Sequence, residues 1–182
     1  MEDSTLSKMN IRQMTLVSLF AALTAVGAFI SIPLQPVPIT LQTLFTLLAG
    51  MILGSTLGAT SQIIYVLLGI IGLPVFAGFK AGIGILFGPT GGFLFGFIIS
   101  AYVIGKIIEV KKEKNIFYYL LAGLIGTLII YIIGVTQLSL VTGMGVKRAI
   151  AVGMFPFLPG DILKVIAAYF IASKLKLVAP TK

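Results

Sequence analysis

The chain has 182 residues, 58% of them hydrophobic and only 10% charged, and its mean hydropathy is +1.14. This is more apolar surface than a soluble domain can bury, so the composition excludes a soluble protein and predicts an integral membrane protein surrounded by the lipid bilayer. The net charge of +8 does not indicate a nucleic-acid partner, because the basic residues do not cluster with stacking aromatic side chains on a polar face.

Six apolar segments, taken in chain order, predict an all-α fold in which six transmembrane helices form one compact bundle. They cover residues 11–32, 39–54, 57–71, 93–108, 116–140 and 159–175. The first has about the 20 residues needed to cross a bilayer, whereas the next two are shorter and are interpreted as an antiparallel pair. A loop or short surface helix is expected within 141–158. We predict one membrane domain over 11–176, between polar tails at 1–10 and 177–182.

Two irregular stretches interrupt this pattern. Three prolines in the proline loop, residues 32–38, end the first helix and favour a stiff, extended backbone. Residues 76–92 carry too many glycines for a regular element, and they lack the Gly-Lys-Ser/Thr sequence of a phosphate-binding loop. Irregular backbone cannot face lipid, because its N–H and C=O groups would have no partners. We interpret residues 76–92 as the lid of a cavity.

The distribution of basic residues predicts the orientation. Six spans place both termini on one side of the membrane, together with the charged loop after the fourth helix. That side holds nine of the 13 Lys and Arg residues, the opposite loops hold three, and Lys164 lies within the membrane. By the positive-inside rule, the termini are cytoplasmic and the protein is a multi-pass protein of the cell membrane. The proline loop, the lid and the loop before Asp161 then gather at the outer face, which predicts a solute site there.

Asp161 and Lys164 form a charged pair inside an apolar run, three residues apart. On a helix this spacing places both side chains on one face, and an ionisable residue within the membrane is a functional-site hypothesis. The alternative is structural: Asp161 caps a helix that begins after Pro159 and Gly160, with Lys164 as its counter-ion. A cap needs no lysine, however, and a cation in the first turn faces the unfavourable end of the helix dipole. The pair therefore favours a ligand with polar groups of its own.

No catalytic residues are predicted. The sequence has no cysteine or histidine, which removes thiol nucleophiles and the usual zinc and haem ligands, so we expect no metal site. The other acidic residues lie in the N-terminal tail or the charged loop, so carboxylates cannot pair around Asp161. One alternative is a proton-coupled secondary carrier for a small vitamin-like solute, but the chain lacks the repeated halves with broken helices that are common in such carriers. A binding subunit fits the residues better.

Four segments stand out as motifs: residues 36–43 (PVPITLQT), 72–78 (GLPVFAG), 88–93 (GPTGGF) and 157–164 (FLPGDILK). In this order they resemble the signature segments of the BioY family, the biotin-specific S components of energy-coupling factor (ECF) transporters. The resemblance implies a six-helix membrane protein that captures biotin with high affinity from the outer face. It also implies delivery inward by an ATP-driven partner module of one transmembrane coupling subunit and two ATPases. ATP then binds only to the partners, and this chain holds no cofactor.

The resemblance also assigns site residues through the chemistry of biotin, which has a ureido ring, an apolar thioether ring and a valerate carboxylate. Asp161 is expected to accept a ureido N–H, and Lys164 to donate to the ureido carbonyl or to neutralise the carboxylate. Lys80 is the alternative partner of the carboxylate, and Gln42 can offer its amide to either polar end. The candidate aromatic walls are Phe76, Phe79, Tyr65 and Tyr131. The alternative for each wall residue is simple packing within the membrane.

Three positions depart from the family's usual residues, namely Phe93, Gln137 and the Phe79-Lys80 step. Ala21 and Ala25 match a small-residue pattern of the first helix, and by resemblance they contact the coupling subunit. Small residues at such spacing let another helix approach closely, so ordinary packing inside the bundle is the alternative.

Overall fold

The computed structural model describes residues 9–110 and 115–175, which are mostly helical. Within these ranges the α-helices are α1 (Ile11–Phe29), α2 (Gln42–Leu53), α3 (Ser55–Ile70), α4 (Gly91–Val110), α5 (Ile116–Thr142), α6 (Val146–Gly153) and α7 (Leu158–Lys174). A short antiparallel ribbon joins β1 (Ser31–Ile32) to β2 (Ile39–Thr40). A single 3-10 turn, Ile83–Ile85, lies in the glycine-rich stretch. The predicted helical membrane protein is confirmed in this coarse form.

The helix lengths do not confirm the predicted six membrane spans. Helices α1, α4 and α5 are each long and apolar enough to cross a bilayer, and α6 with α7 qualifies only as a pair bent by 54°. Helix α2 has 12 residues, which extend about 18 Å against a hydrocarbon core of about 30 Å. The described residues therefore offer three or four spans by length and composition. The six-span count is not confirmed, although the protein is a multi-pass membrane protein.

The tails and most of the charged loop bear on the predicted orientation, and they lie outside the described residues. The structure describes neither residues 1–8 nor 176–182, and it omits residues 111–114. The cytoplasmic placement of the termini and the domain limits therefore stay predictions.

Helix α1 begins and ends at recognisable local signals. Asn10 caps it in a capping box: its side chain accepts from Gln13 N at 2.8 Å, and Gln13 Oε1 accepts from Asn10 N at 3.0 Å. The helix ends at Phe29, three residues before the predicted end at Ile32. Pro33 disfavours helical backbone in the residue before it, and Ser31 and Ile32 instead pair with β2. The proline loop therefore connects the two strands of a short ribbon. The sequence did not predict this ribbon, because strands of two residues are too short to show a periodic pattern.

Helices α2 and α3 fold back on each other at Gly54, whose φ of 84° suits glycine. The same corner packs on α4, because a Cβ on Gly105 would overlap the backbone of Gly54 and Ser55. Glu109 of α4 then caps α3 from outside: its Oε1 accepts from Ser55 N at 2.7 Å, and its Oε2 accepts from Ser55 Oγ at 2.8 Å. A carboxylate at a helix N-terminus satisfies free N–H groups and meets the positive end of the dipole.

Removal of this cap is expected to lower stability. The Glu109→Ala variant should lose about 1–2 kcal/mol of unfolding free energy, the scale of a lost N-cap. Thermal unfolding in detergent checks this, with Lys106→Ala on the exposed face of the same helix as the matched control. Equal melting temperatures for the Glu109 variant and the unchanged chain would contradict the role of the cap.

The interior has two apolar clusters at different levels of the bundle. The first packs α2 against α1, α4, α5 and α7, with Leu47, Met51 and Ile104 almost fully buried. The second surrounds the irregular segments and includes Val37 and Phe76. Close backbone approach holds α4 on α5, since a Cβ on Gly96 would lie 2.9 Å from the Cα of Ile130. The second cluster places the irregular segments over a cavity.

Candidate functional site

A cavity of about 350 Å³ lies where the irregular segments meet the ends of the long helices. The proline loop forms one rim, and residues 76–80, a short hairpin, form another. Helices α2, α4, α5 and α7, with Ile85 and Thr90 of the lid, supply the remaining walls. The proline loop, the lid and Phe157, in the predicted loop before Asp161, therefore share one cavity, while its placement at the outer face stays a prediction. The lining is mainly apolar, and its polar side chains include Thr40, Gln42, Lys80 and Asp161.

Asp161 lines this cavity and accepts two hydrogen bonds. Its Oδ1 accepts from Lys164 Nζ at 2.7 Å, and its Oδ2 accepts from the hydroxyl of Tyr131. Asp161 is 4% exposed and Lys164 is 8% exposed. Asp161 and Tyr131 line the cavity, whereas Lys164 does not. Lys164 thus pairs with the carboxylate from outside the cavity, and Asp161 keeps a face towards the cavity.

The structure contradicts the alternative in which Asp161 is the N-cap of the helix. Helix α7 begins at Leu158, and its N-cap is Phe157, which makes no side-chain capping bond. Asp161 N donates to Phe157 O at 2.8 Å, so Asp161 already belongs to the helical ladder. Pro159 suits the first turn because its missing N–H is not needed there. The carboxylate still lies in the first turn of α7, where the helix dipole favours a negative charge.

Gln42 lines the cavity and is held from two sides. Its Nε2 donates to the hydroxyl of Tyr65 at 2.6 Å, and its Oε1 accepts from Thr40 Oγ1 at 3.0 Å. The hydroxyl of Tyr65 in turn donates to Val75 O at 3.1 Å. Tyr65 is fully buried and does not line the cavity. It was predicted as a wall, but the structure places it behind Gln42, where it orients the amide.

The hairpin at residues 76–80 separates three predicted site residues. Phe76 and Lys80 exchange two backbone hydrogen bonds of 3.0 and 3.3 Å, and both line the cavity. Phe79 lies at the tip with φ of 56°, is 68% exposed and stacks on Phe29 at a ring distance of 4.6 Å. The structure therefore places Phe79 outside the cavity, where it fastens the hairpin to the end of α1.

Several lining residues were missed by the sequence analysis. The largest are Phe97, Ile130 and Phe157. Two of them follow a helical spacing that was available in the sequence. Phe157 precedes Asp161 by four residues, and Phe97 follows Phe93, another lining residue, by four, so each pair shares a helix face. Phe93 itself had been noted only as a departure from the family pattern.

Ala21 and Ala25, the predicted partner contacts, lie inside the bundle. They are 1% and 8% exposed and belong to the second apolar cluster. The exposed side of α1 instead carries Ser18, Ala22 and Val26. In this arrangement neither predicted alanine is available to another subunit. The three-four spacing of small residues did not distinguish the inner side of α1 from the outer side.

A model of the BioY family matches residues 2–181. The chain is 47% identical to the biotin transporter BioY of Thermotoga maritima, over 91% of this chain and 96% of the relative. It is 42% identical to the probable biotin transporter BioY of Pyrococcus horikoshii, over 92% and 98%. Its fold is similar to a crystal structure described as the S-component for biotin from an ECF-type ABC transporter. That comparison has a TM-score of 0.84 at 26% identity and covers 92% of this chain and 94% of the other.

Proposed function

Since the chain belongs to the BioY family and is a transport protein rather than an enzyme, we propose that it is the biotin-binding S component of an ECF transporter. It captures biotin with high affinity from the outer face of the cell membrane and passes it inward with an ATP-driven partner module. The termini are cytoplasmic in this proposal, so the cavity opens outward.

The observation that carries the proposal is the cavity with a buried carboxylate, Asp161, in its wall. Its volume of about 350 Å³ lies at the lower end of the range of about 300–1,000 Å³ typical of small-molecule sites. Asp161 is held by Lys164 and Tyr131 with a face left towards the cavity. A carboxylate accepts hydrogen bonds only, and the ureido ring of biotin offers N–H donors. We therefore assign Asp161 to the ureido ring.

The remaining lining residues fit the other parts of biotin. Lys80 lies on the rim hairpin, where its ammonium group can pair with the valerate carboxylate. Gln42 presents its amide to the same space, with Thr40 beside it. Phe76 and Phe93 offer apolar walls to the thioether ring. Lys164 acts through Asp161 in this assignment and does not contact the ligand.

Direct binding tests the proposal. Isothermal titration of the detergent-purified chain should give tight one-to-one binding of biotin and no binding of riboflavin or thiamine. Absence of biotin binding by folded protein would overturn the assignment of the ligand. A proton-coupled carrier, the alternative, would instead accumulate biotin in proteoliposomes under a pH gradient without any ATPase.

The partner is proposed to dock on the exposed side of α1. An apolar groove of about 870 Å³ runs along this side between α1, α2 and α7, with Leu19 and Leu23 among its lining residues. An apolar helix of a coupling subunit can fill such a groove, and Ala22 lies on the exposed surface nearby, three residues from Leu19. The two ATPases bind ATP and contact this chain only through the coupling subunit.

Two neighbouring alanines test this docking side. Ala22→Trp should leave biotin binding unchanged and abolish uptake, because it adds bulk only to the exposed side of α1. Ala21→Trp should reduce the folded yield, since it overpacks a site that is 1% exposed, at a cost of about 1–3 kcal/mol or more. Biotin uptake by the complete transporter and binding by the isolated chain are measured for both. Uptake at the unchanged rate by Ala22→Trp would show that the partner docks elsewhere.

A further inference from the structure

Gln137 of α5 makes an unusual contact with the lid. Its Nε2 donates to Leu86 O at 2.6 Å and to Gly88 O at 2.9 Å. The residue is half-buried and does not line the cavity. One side-chain amide therefore joins two carbonyls of an irregular segment to a long helix.

The segment that it holds is a wall of the cavity, here called the roof segment and comprising residues 83–90. Ile85 and Thr90 line the cavity, while Ile83 and Phe87 are 58% and 73% exposed. The roof segment thus lies between the ligand space and the surroundings of the protein. Because the segment covers part of the cavity, a change in its position would change the fit around a bound ligand.

The roof segment has little regular structure of its own. Its backbone bonds are short-range turns, such as Leu86 N to Ile83 O at 3.0 Å and Gly88 N to Ile85 O at 3.1 Å. At its start, Gly82 N donates to Gly69 O of α3 at 2.7 Å. Among the described residues, Gln137 supplies the hydrogen bonds that join its middle to another helix. The carbonyl of Leu86 takes no part in the turns, so its described partner is this amide.

The site of the Gln137 side chain is shaped by two glycines. A Cβ on Gly91 would overlap the Leu86 carbonyl and lie 2.6 Å from Gln137 Nε2. A Cβ on Gly92 would lie 2.7 Å from Gln137 Cβ. Glycine at both positions therefore leaves room for the amide between α4, α5 and the roof segment.

We propose that Gln137 is a positioning residue for the ligand: by fixing the roof segment, it sets how long biotin stays in the cavity. The amide donates from a rigid helix to two carbonyls of a segment that lacks a ladder, so it restrains that segment without contacting the ligand. The inference rests on the proposed function as far as biotin is concerned. The restraint on the roof segment is independent of the ligand.

The test compares Gln137→Met, which keeps the length of the side chain but removes both donors, with Thr136→Val as the matched control. Thr136 is exposed on the same helix, and its hydroxyl bonds only to Ile132 O of its own helix in the described structure. Labelled biotin is bound to each purified full-length chain and chased with unlabelled biotin. Hydrogen exchange of residues 83–90 is measured without ligand in parallel.

In Gln137→Met we expect dissociation to be faster by about tenfold, with a much smaller change in the association rate. Hydrogen exchange in the roof segment should become faster, while the amides of α4 and α5 keep their protection. Thr136→Val should show the dissociation rate and the exchange of the unchanged chain. Unchanged dissociation or unchanged exchange in Gln137→Met would overturn the inference. If the unchanged chain does not bind biotin, the proposed function fails, and the ligand-free exchange alone decides whether Gln137 restrains the roof segment. Gln137→Asn, which keeps the amide on a shorter stem, replaces the Met variant if that variant does not fold.

Discussion

The Asp161→Asn variant is expected to bind biotin about 1.5–3 kcal/mol more weakly than the unchanged chain, the scale of a hydrogen bond to a charged group. Asparagine keeps the size of the side chain but loses the negative charge that the ureido N–H and Lys164 both meet. The variant should also unfold more easily, by about 3–5 kcal/mol, because the ammonium group of Lys164 stays buried without its partner. Titration calorimetry and thermal unfolding in detergent measure the two effects.

Two further variants separate the binding loss from the stability loss. Asp161→Asn combined with Lys164→Met removes the buried cation as well, so the melting temperature should recover while biotin binding does not. Tyr131→Phe removes only the hydroxyl that donates to Asp161 and should cost less in both measurements. Affinity equal to that of the unchanged chain in Asp161→Asn would mean that the pair only stabilises the fold.

The second large effect is expected from Gly69→Ala on α3. A Cβ at this position would overlap the ring of Phe76, which is 2% exposed and lines the cavity. The ring also packs edge-on against Tyr65 at 5.7 Å between ring centres, so it has little freedom to yield except towards the ligand. Overpacking of this kind costs about 1–3 kcal/mol, and we expect a similar loss of biotin affinity.

Gly84→Ala is the matched control for this prediction. It makes the same change in the 3-10 turn, where a Cβ would meet nothing within 4 Å. Titration calorimetry should find its affinity unchanged. Unaltered affinity in Gly69→Ala would show that the Phe76 ring relaxes away from the cavity and does not set its shape.

The helix limits were largely predictable because hydrophobic runs and breakers are local features. The predicted helices at 93–108, 116–140 and 159–175 correspond to α4, α5 and α7 within two residues at each end. Helix α1 was extended too far because its apolar run continues to Ile32, although Pro33 already turns the chain. The number of spans stays a prediction, since α2 and α3 are apolar but short.

The structure places some of the predicted site residues at the cavity and others away from it. Asp161, Gln42, Phe76, Lys80 and Tyr131 were named from the sequence and line the cavity, whereas Lys164, Tyr65 and Phe79 do not. Gln137 was noted only as a departure from the family pattern, because its hydrogen bonds join it to two carbonyls about 50 residues away in the chain. Residues so far apart in the chain show no regular sequence spacing that would predict their contact.

By itself, the sequence determined that the protein is a membrane protein and that Asp161 and Lys164 form an ion pair. A charge inside an apolar run cannot be left alone in a low-dielectric interior, and a partner three residues away lies on the same helix face. Only the tertiary structure decided which side of each helix meets the cavity, the core or the lipid. Membrane helices are apolar on every side, so hydrophobic periodicity does not mark the inner face of α1 or α5. Ala21 and Ala22 are adjacent and identical in type, yet Ala21 is buried in the bundle and Ala22 is exposed.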